Sequence, residues 1–473
     1  MQLATKIAHN TIIQIIGKGI ATFLGLITIA IMTRQLDQVG FGQYTTIITF
    51  LSFFGVIADL GLTLVTTQMI SDPKIDQNKI LSNLFSLRLI SAIIFLGLAP
   101  LIVLFFPYDP LIKMGVIIAS LSFFFTALNQ ILVGIFQKHL QMIVVSLAEV
   151  ISRLALLIGV ILAVYFNYGL TGIMIATVIS SLISFIIHYY PSRRYAKIKL
   201  EIDINVWLLI FQRSWPLAVT ITFNLIYLRA DTLILSLLKT QAEVGIYGAA
   251  YKVIDILTTL PFMFAGIILP ILAASWITKD TKRFKNILQK SFDLSIIAAI
   301  PILLGTQLVA QPLMILIAGS SFALSGEILK ILILASAIIF FSCLFAHGII
   351  AINKQKELIT IYIFTAITAL IGYLIFIPKY SYFGAAWVTV YSELVIALFS
   401  CYLLAKFTEF KPNLAILLKS LLASLIMLIA IFLLLTKLNL LLILVIAMIV
   451  YFVSLYFLGG ITKQDIALVG IRN

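Results

Sequence analysis

Apolar residues run through this chain in blocks long enough to cross a bilayer. A spanning helix needs about 20 residues, rising 1.5 Å each, to cross about 30 Å of hydrocarbon. The pattern predicts fourteen spans: 11–33, 42–65, 83–106, 112–136, 143–166, 169–190, 207–238, 243–272, 290–317, 327–352, 357–378, 382–404, 414–436 and 439–459. The block 207–238 is too long for one straight crossing. It predicts an interfacial segment before Pro216, or a helix that tilts and protrudes. The long unbroken blocks argue against a β-barrel, whose strands are short and alternate in character.

Composition narrows the class. Of 473 residues, 62% are hydrophobic and only 11% charged, with a mean hydropathy of +1.17. A soluble surface needs about a quarter of its residues charged. The chain is therefore read as an all-α polytopic membrane protein. Its net charge of +14 could suit nucleic acid, but the distribution of the cations points to lipid. The tails and every second loop carry twenty Lys and Arg, whereas the opposite side carries five, Arg34, Lys113, Lys239, Lys379 and Lys437. The positive-inside rule then places both termini in the cytoplasm, with the basic loops facing anionic lipid. The first apolar run has no small-residue cleavage site after it and is expected to stay as span one. The longest internal hydrophilic segments, 191–206 and 273–289, fall on the basic side, so no large outer domain is expected. Cys343 and Cys401 sit singly inside apolar runs and read as small apolar filler.

Three ordered matches suggest an internal repeat. Val39-Gly40 pairs with Val244-Gly245 at a spacing of 205. The stretch GIMIATVIS at 172–180 pairs with GAAWVTVYS at 384–392 at a spacing of 212, and IFQKH at 135–139 with AINKQ at 351–355 at 216. Six spans, a basic loop, six more spans and two extra make a parallel repeat, whose halves would enclose a central cavity. The predicted units are 1–195, 196–405 and 406–473.

Charges inside spans are costly and point to function or packing. Seven cations lie there, Lys18, Arg88, Arg153, Arg213, Arg229, Lys252 and Lys330, and seven acids, Asp59, Glu149, Asp231, Asp255, Asp293, Glu327 and Glu393. Arg88, Arg213 and Asp293 are placed near cytoplasmic ends, and Asp59, Glu327 and Lys330 near outer ends, where side chains can snorkel. Glu149 with Arg153, and Lys252 with Asp255, have helical spacings that allow pairing on one face. Each pair either fixes packing or lines the cavity. Lys18, between Gly17 and Gly19, has no acid within four residues and must find a partner on another helix or face water. Asn224, Tyr227 and Asp231 form one polar stripe, with Asp231 expected to face the cavity and Arg229 another face.

Motifs for chemistry are missing. No P-loop, H-E-x-x-H or G-x-S-x-G pattern occurs, and His9, His139, His188 and His347 are scattered. No catalytic residue, metal ligand or cofactor is expected.

The stretches RQLDQVGFGQY at 34–44 and ADLGLTLVTTQMI at 58–70 resemble the opening of the Wzx polysaccharide flippases. These belong to the MATE-like multidrug/oligosaccharidyl-lipid/polysaccharide (MOP) exporter superfamily. The matching residues are Arg34, Leu36, Gly40, Phe41, Gly42, Tyr44, Asp59, Gly61 and Leu62. SWPLAVT at 214–220, Asp231 and VGIYGAAYKVIDILTTLP at 244–261 echo the family's second half. Gln68 departs from the pattern, since many members carry a basic residue there. The resemblance implies two six-helix lobes in a V plus two C-terminal helices, spans thirteen and fourteen helping to form a groove for the lipid tail. It implies flipping of undecaprenyl-pyrophosphate-linked oligosaccharide repeat units across the bacterial inner membrane for O-antigen or capsule assembly. A polymerase and a chain-length regulator would be partners on the same ground.

A pyrophosphate crossing an apolar core calls for cations in a polar cavity. The expected cavity cations are Lys18, Arg88, Arg153, Arg229 and Lys252. Asp59, Glu149, Asp231, Asp255 and Glu393 are candidates for ion coupling. Tyr227, Tyr247 and Tyr251, with Trp387 and Tyr391, are candidates for stacking on sugars. A cation-coupled drug exporter of the same superfamily would call for an acidic cavity instead, and a membrane enzyme for a sizeable outer loop.

Overall fold

The structure, a computed structural model, describes residues 2–70 and 76–460. Lys74, Lys463 and Arg472, counted above on the basic side, lie outside the described residues. The helices are α1 (Gln2–Asp59), α2 (Leu62–Ile70), α3 (Gln77–Ile102), α4 (Pro110–Lys138), α5 (Met142–Tyr165), α6 (Gly169–Ser192), α7 (Ile204–Leu238), α8 (Gln241–Ile277), α9 (Thr281–Ala318), α10 (Ser325–Ala351), α11 (Gln355–Thr408), α12 (Ala415–Leu434) and α13 (Leu440–Phe457). Among the described residues there is no strand. Twelve of these helices are long and apolar enough to cross a membrane.

Two of the twelve are double. Helices α1 and α11 have 58 and 54 residues, roughly 80 Å of helix each, well over twice the apolar thickness. Each is broken once, α1 at Asp37 (φ 52°) and α11 at Ser381 (φ 51°). The polar run Arg34 to Gln38 interrupts α1. Pro378, which lacks a backbone donor, weakens α11 just before its break. Counting each arm separately gives fourteen crossing segments, as the hydrophobic pattern predicts. Span two ends earlier than expected, because the helix breaks at Leu60 (φ 49°) and Gly61 (φ 74°) before α2. A Cβ on Gly61 would stand 2.5 Å from the Ser214 carbonyl oxygen, so only glycine fits.

Contacts gather the chain into two compact units. One is Met1–Gly248 with Ile317–Gly319, the other Ala249–Leu316 with Ser320–Asn473. A core of the first is built where Leu62, Val65 and Met69 of α2 meet Ile80, Leu81 and Leu84 of α3 and Ile131, Leu132 and Ile135 of α4. In the second, Met427 and Ile431 of α12 pack on Ile443, Ala447 and Tyr451 of α13 and Val309 of α9.

The basic segment between α6 and α7 is strapped onto α3. The amides of Lys197, Lys199 and Glu201 donate to Asn78 (3.0 Å), Ser82 (3.1 Å) and Ser86 (2.9 Å), and that of Asp203 to Asn83 (2.8 Å). The periods agree: two extended residues advance about 6.6 Å and four helical residues about 6 Å. Asp203 then caps α7, accepting from the Asn205 amide at 3.0 Å, and pairs with Lys79 at 2.7 Å. The hydrogen bond from Lys79 holds the Asp203 carboxyl below the ordinary aspartate range. The cap is therefore intact at neutral pH and is lost only as pH falls through that lowered value.

The repeat has a local structural signature. Gly42 and Gly245 face each other, each with its missing Cβ 3.0 Å from the other's backbone nitrogen. A Cβ on Gly42 would overlap the Gln241 carbonyl oxygen, and one on Gly245 the Gln38 carbonyl oxygen. The reciprocal contact equates Gln38, Gly42 and Tyr44 with Gln241, Gly245 and Tyr247, a spacing of 203. The spacing of 205 read from Val-Gly is corrected by two residues, because backbone proximity and not the Val-Gly pair sets the register. The spacing of 212 holds. It equates Gly169 (φ 54°) with Ser381 (φ 51°), the left-handed residue before a crossing in each half. It also equates Gly172, tight against Tyr168, with Gly384, tight against the Phe376 carbonyl.

Replacing Gly42 by leucine forces α1 and the start of α8 apart. Overpacking of this kind costs about 1–3 kcal/mol. Thermal unfolding in detergent should show a lower Tm for Gly42→Leu and Gly245→Leu, with Gly97→Leu, where no atom lies within 4 Å of the added Cβ, close to wild type.

Candidate functional site

The first unit holds a cation site on α1 and α5. The Asn10 side chain accepts from the Met142 amide at 2.9 Å, which fixes the start of α5 against α1. One stretch further, Gly17 lets α1 approach Ser146, whose Cβ lies 2.7 Å from where a Gly17 Cβ would be. This brings Lys18 Nζ to 2.8 Å from Glu149 Oε1. The side chains stay 41% and 31% exposed, so the pair is open on one side. Arg153, one turn beyond Glu149, is exposed. The expected Glu149–Arg153 pair is not formed, because Lys18 takes the carboxylate. Arg153 has no acidic partner among the described residues, and it lies within electrostatic reach of Tyr44. So the cation expected to need a partner has one, and the cation expected to be paired is available.

Arg88 and Asp59 do something else. Arg88 is 1% exposed, and its Nη1 lies 2.7 Å from Asp59 Oδ1. It donates to the carbonyls of Ala127 and Ala58, each at 3.0 Å, and to the Gln130 side chain. Thr63 closes the group on Asp59. Their placement as snorkelling residues at opposite membrane ends is corrected, since they touch each other in the core. Their assignment as cavity cation and cavity acid is corrected too. The guanidinium is enclosed by α1, α3 and α4 and binds one C-terminal carbonyl of α1, that of Ala58, beside the break before α2.

Asp231 is 0% exposed and does not face a cavity. It accepts from the Tyr247 hydroxyl at 2.6 Å and from the Thr232 amide at 2.5 Å. Tyr227 is buried and receives a bond from Asn224 at 2.7 Å. Tyr247 and Tyr251 are buried as well. The three tyrosines expected to stack on sugars are thus packed inside. Arg229 is half-buried.

In the second unit, Lys252 and Asp255 form the expected pair on α8, at 4.0 Å and half-buried. Lys330 and Glu327 pair at 2.8 Å. Glu393 is buried, which corrects its placement on a cavity wall. Trp387 and Tyr391, by contrast, are exposed and line a groove of about 810 Å³ along the two arms of α11, with Gly372, Phe376, Tyr380 and Phe383. Phe376 and Phe383 were not singled out from the sequence. The repeat carried the signal: at a spacing of 212 the first half has Val164, Thr171, Ile175 and Ile179 where the second has Phe376, Phe383, Trp387 and Tyr391. Among the described residues no group of three His, Cys, Asp or Glu could hold a metal ion.

These geometries meet the comparisons. Residues 7–276 match the family of polysaccharide biosynthesis proteins. The chain belongs to this family. No curated protein matches it. Among solved structures it is similar to the lipid II flippase MurJ in an inward closed conformation, at 19% identity and a TM-score of 0.78, covering 96% of this chain and all of that one. It is also similar to an inward-facing multidrug resistance MATE family transporter of the MOP superfamily, at 14% identity and a TM-score of 0.68, covering 84% and 99%. A MOP superfamily transporter from Pyrococcus furiosus, described as having a binding pocket of reverse polarity, matches at 13% identity and a TM-score of 0.57, covering 86% and 96%. The chain is thus a multi-pass membrane protein with the MurJ and MATE fold, and these neighbours are transporters and flippases.

Burial separates two classes of cation. Removing one partner of a buried pair costs about 3–5 kcal/mol, because the other charge is left unmatched. Arg88→Gln should therefore lower the amount of folded protein recovered in detergent and its Tm. Arg153→Gln, at an exposed position, should leave both near wild type. Fluorescence-detected size exclusion with a thermal ramp makes the comparison.

Proposed function

We propose that this protein flips an undecaprenyl-pyrophosphate-linked oligosaccharide repeat unit from the cytoplasmic to the outer leaflet of a bacterial inner membrane. The product would serve O-antigen or capsule assembly. The observation that carries the reading is the Lys18–Glu149–Arg153 group in a polysaccharide biosynthesis protein with a flippase fold. Arg153 stands exposed and unmatched near the middle of a spanning helix. A guanidinium there is costly unless it faces water or an anion. It offers a pyrophosphate a charge-assisted, two-pronged contact. Lys18 adds a second cation whose charge is partly offset by Glu149, so the site attracts the anion without holding it too tightly for release. The half-buried Lys252–Asp255 pair is the matching candidate in the second half. Both termini would face the cytoplasm, with the basic loops on that side, and transport would run by alternating access. A polymerase and a chain-length regulator are expected to act on the flipped product.

Deletion of the gene in its host tests this reading. Lipid-linked repeat units should accumulate on the cytoplasmic side while surface polysaccharide disappears. A charge-assisted contact contributes about 1.5–3 kcal/mol, so Arg153→Ala should slow export roughly 10-fold to 100-fold at normal protein level. Unchanged surface polysaccharide together with lost resistance to cationic compounds would replace this reading by a drug exporter.

A further inference from the structure

Helix α7 has 35 residues, about 52 Å at 1.5 Å each, against about 30 Å of hydrocarbon. Its C-terminal end is fixed where the chain turns through Lys239 and Thr240 into α8. The excess therefore lies at its N-terminal end, next to the strap on α3. There the surface is strongly apolar. Leu200 and Ile202 of the strap, and Ile204, Leu208, Phe211 and Trp215 of α7, are each more than half exposed. The last four recur at i, i+4, i+7 and i+11, which makes a single stripe on one helix face. Ile210 and Ser214, on another face, are buried. The stripe is thus left uncovered by the fold while the neighbouring face is packed.

Cations precede this stripe along the chain. Arg193, Arg194, Lys197 and Lys199 are all exposed. The acids close by are Asp76, Glu201 and Asp203; Asp76 is engaged in the α3 cap, and Asp203 by Lys79 and the α7 cap. The strap cannot fold away, since alternate amides from Lys197 to Asp203 are tied to side chains of α3. An apolar helix face next to a net positive strip is the composition that lies in a bilayer interface and selects anionic headgroups. The stripe also runs directly into the membrane-crossing part of the same helix, which makes the leaflet itself its continuous partner.

We propose that the strap 193–203 and the first turns of α7 form a docking surface for anionic phospholipid, with the apolar stripe in the acyl boundary and the four cations on the headgroups. This surface is separate from the Lys18–Arg153 group and does not depend on the transport reading.

Trp215 provides the readout. A variant with Trp207→Phe, Trp276→Phe and Trp387→Phe keeps Trp215 as its only indole. It is reconstituted into phosphatidylcholine vesicles holding a fixed fraction of brominated lipid, either phosphatidylglycerol or phosphatidylcholine. Brominated phosphatidylglycerol should quench Trp215 roughly twofold to threefold more strongly. Adding R193Q, R194Q, K197Q and K199Q should equalise the two. Should the triple variant fail to fold, the difference between wild type and Trp215→Phe gives the same reading. Equal quenching by both lipids before the charge change overturns the proposal. Absence of quenching by either also overturns it, and leaves water or a protein partner as the cover of the stripe.

Discussion

A charge inside hydrocarbon must be matched, hydrated or absent, and the rest of this structure follows from how each charge meets that demand. Arg88 meets it by burial among Asp59, Gln130 and two carbonyls. Asp231 meets it with hydrogen bonds from Tyr247 and Thr232. These groups hold helix ends in place: Arg88 grips the end of α1, and Asp231 ties α7 to α8. Lys18, Arg153, Lys252 and Asp255 meet the demand by remaining partly open. The division between structural and available charge is therefore a division by enclosure, and residue type alone does not reveal it.

Enclosure depends in turn on how closely helices approach. Gly17 decides that Lys18 reaches Glu149, because any side chain at 17 would push α1 off Ser146. Gly42 and Gly245 let the backbones of α1 and α8 meet, and Tyr247, on another face of α8, donates to Asp231. Small residues in spanning helices permit backbone contact and so set which polar groups meet. The Lys18–Glu149 contact is thus a consequence of packing at Gly17.

Much of the fold was legible in the sequence because bilayer thickness imposes one length scale on the hydrophobic pattern. Fourteen segments could be counted, even where α1 and α11 run through their breaks as near-continuous helix. The family was legible in Arg34 to Tyr44 and Asp59 to Leu62. The site was legible only in part. Pairing within a helix can be read from spacing, and Lys252–Asp255 follows it. Pairing between helices cannot, and Lys18 therefore displaced Arg153 at Glu149. The depth of Asp59 follows from the span count itself: span 42–65 returns to the side of the N-terminus, so residue 59 near its end lies at the same membrane end as Arg88. The tyrosines of 227–251 were misplaced because a polar stripe on a helix says that one face is different, not whether that face meets water or another helix.

The two halves show what a repeat keeps and what it releases. At a spacing of 212 both keep a left-handed residue, Gly169 or Ser381, followed three residues later by a glycine under close backbone or side-chain contact. Those features fix the crossing of consecutive spans and leave little room for change. The outward positions of the same helices are free of that constraint. There Val164, Ile175 and Ile179 of one half stand against Phe376, Trp387 and Tyr391 of the other. Aliphatic side chains suffice for a face that meets acyl chains. Indole and phenol groups carry a polar handle that gains nothing in pure hydrocarbon. At the same spacing Tyr380 of the groove meets Tyr168, so the aromatic character added in the second half is confined to Phe376, Phe383, Trp387 and Tyr391.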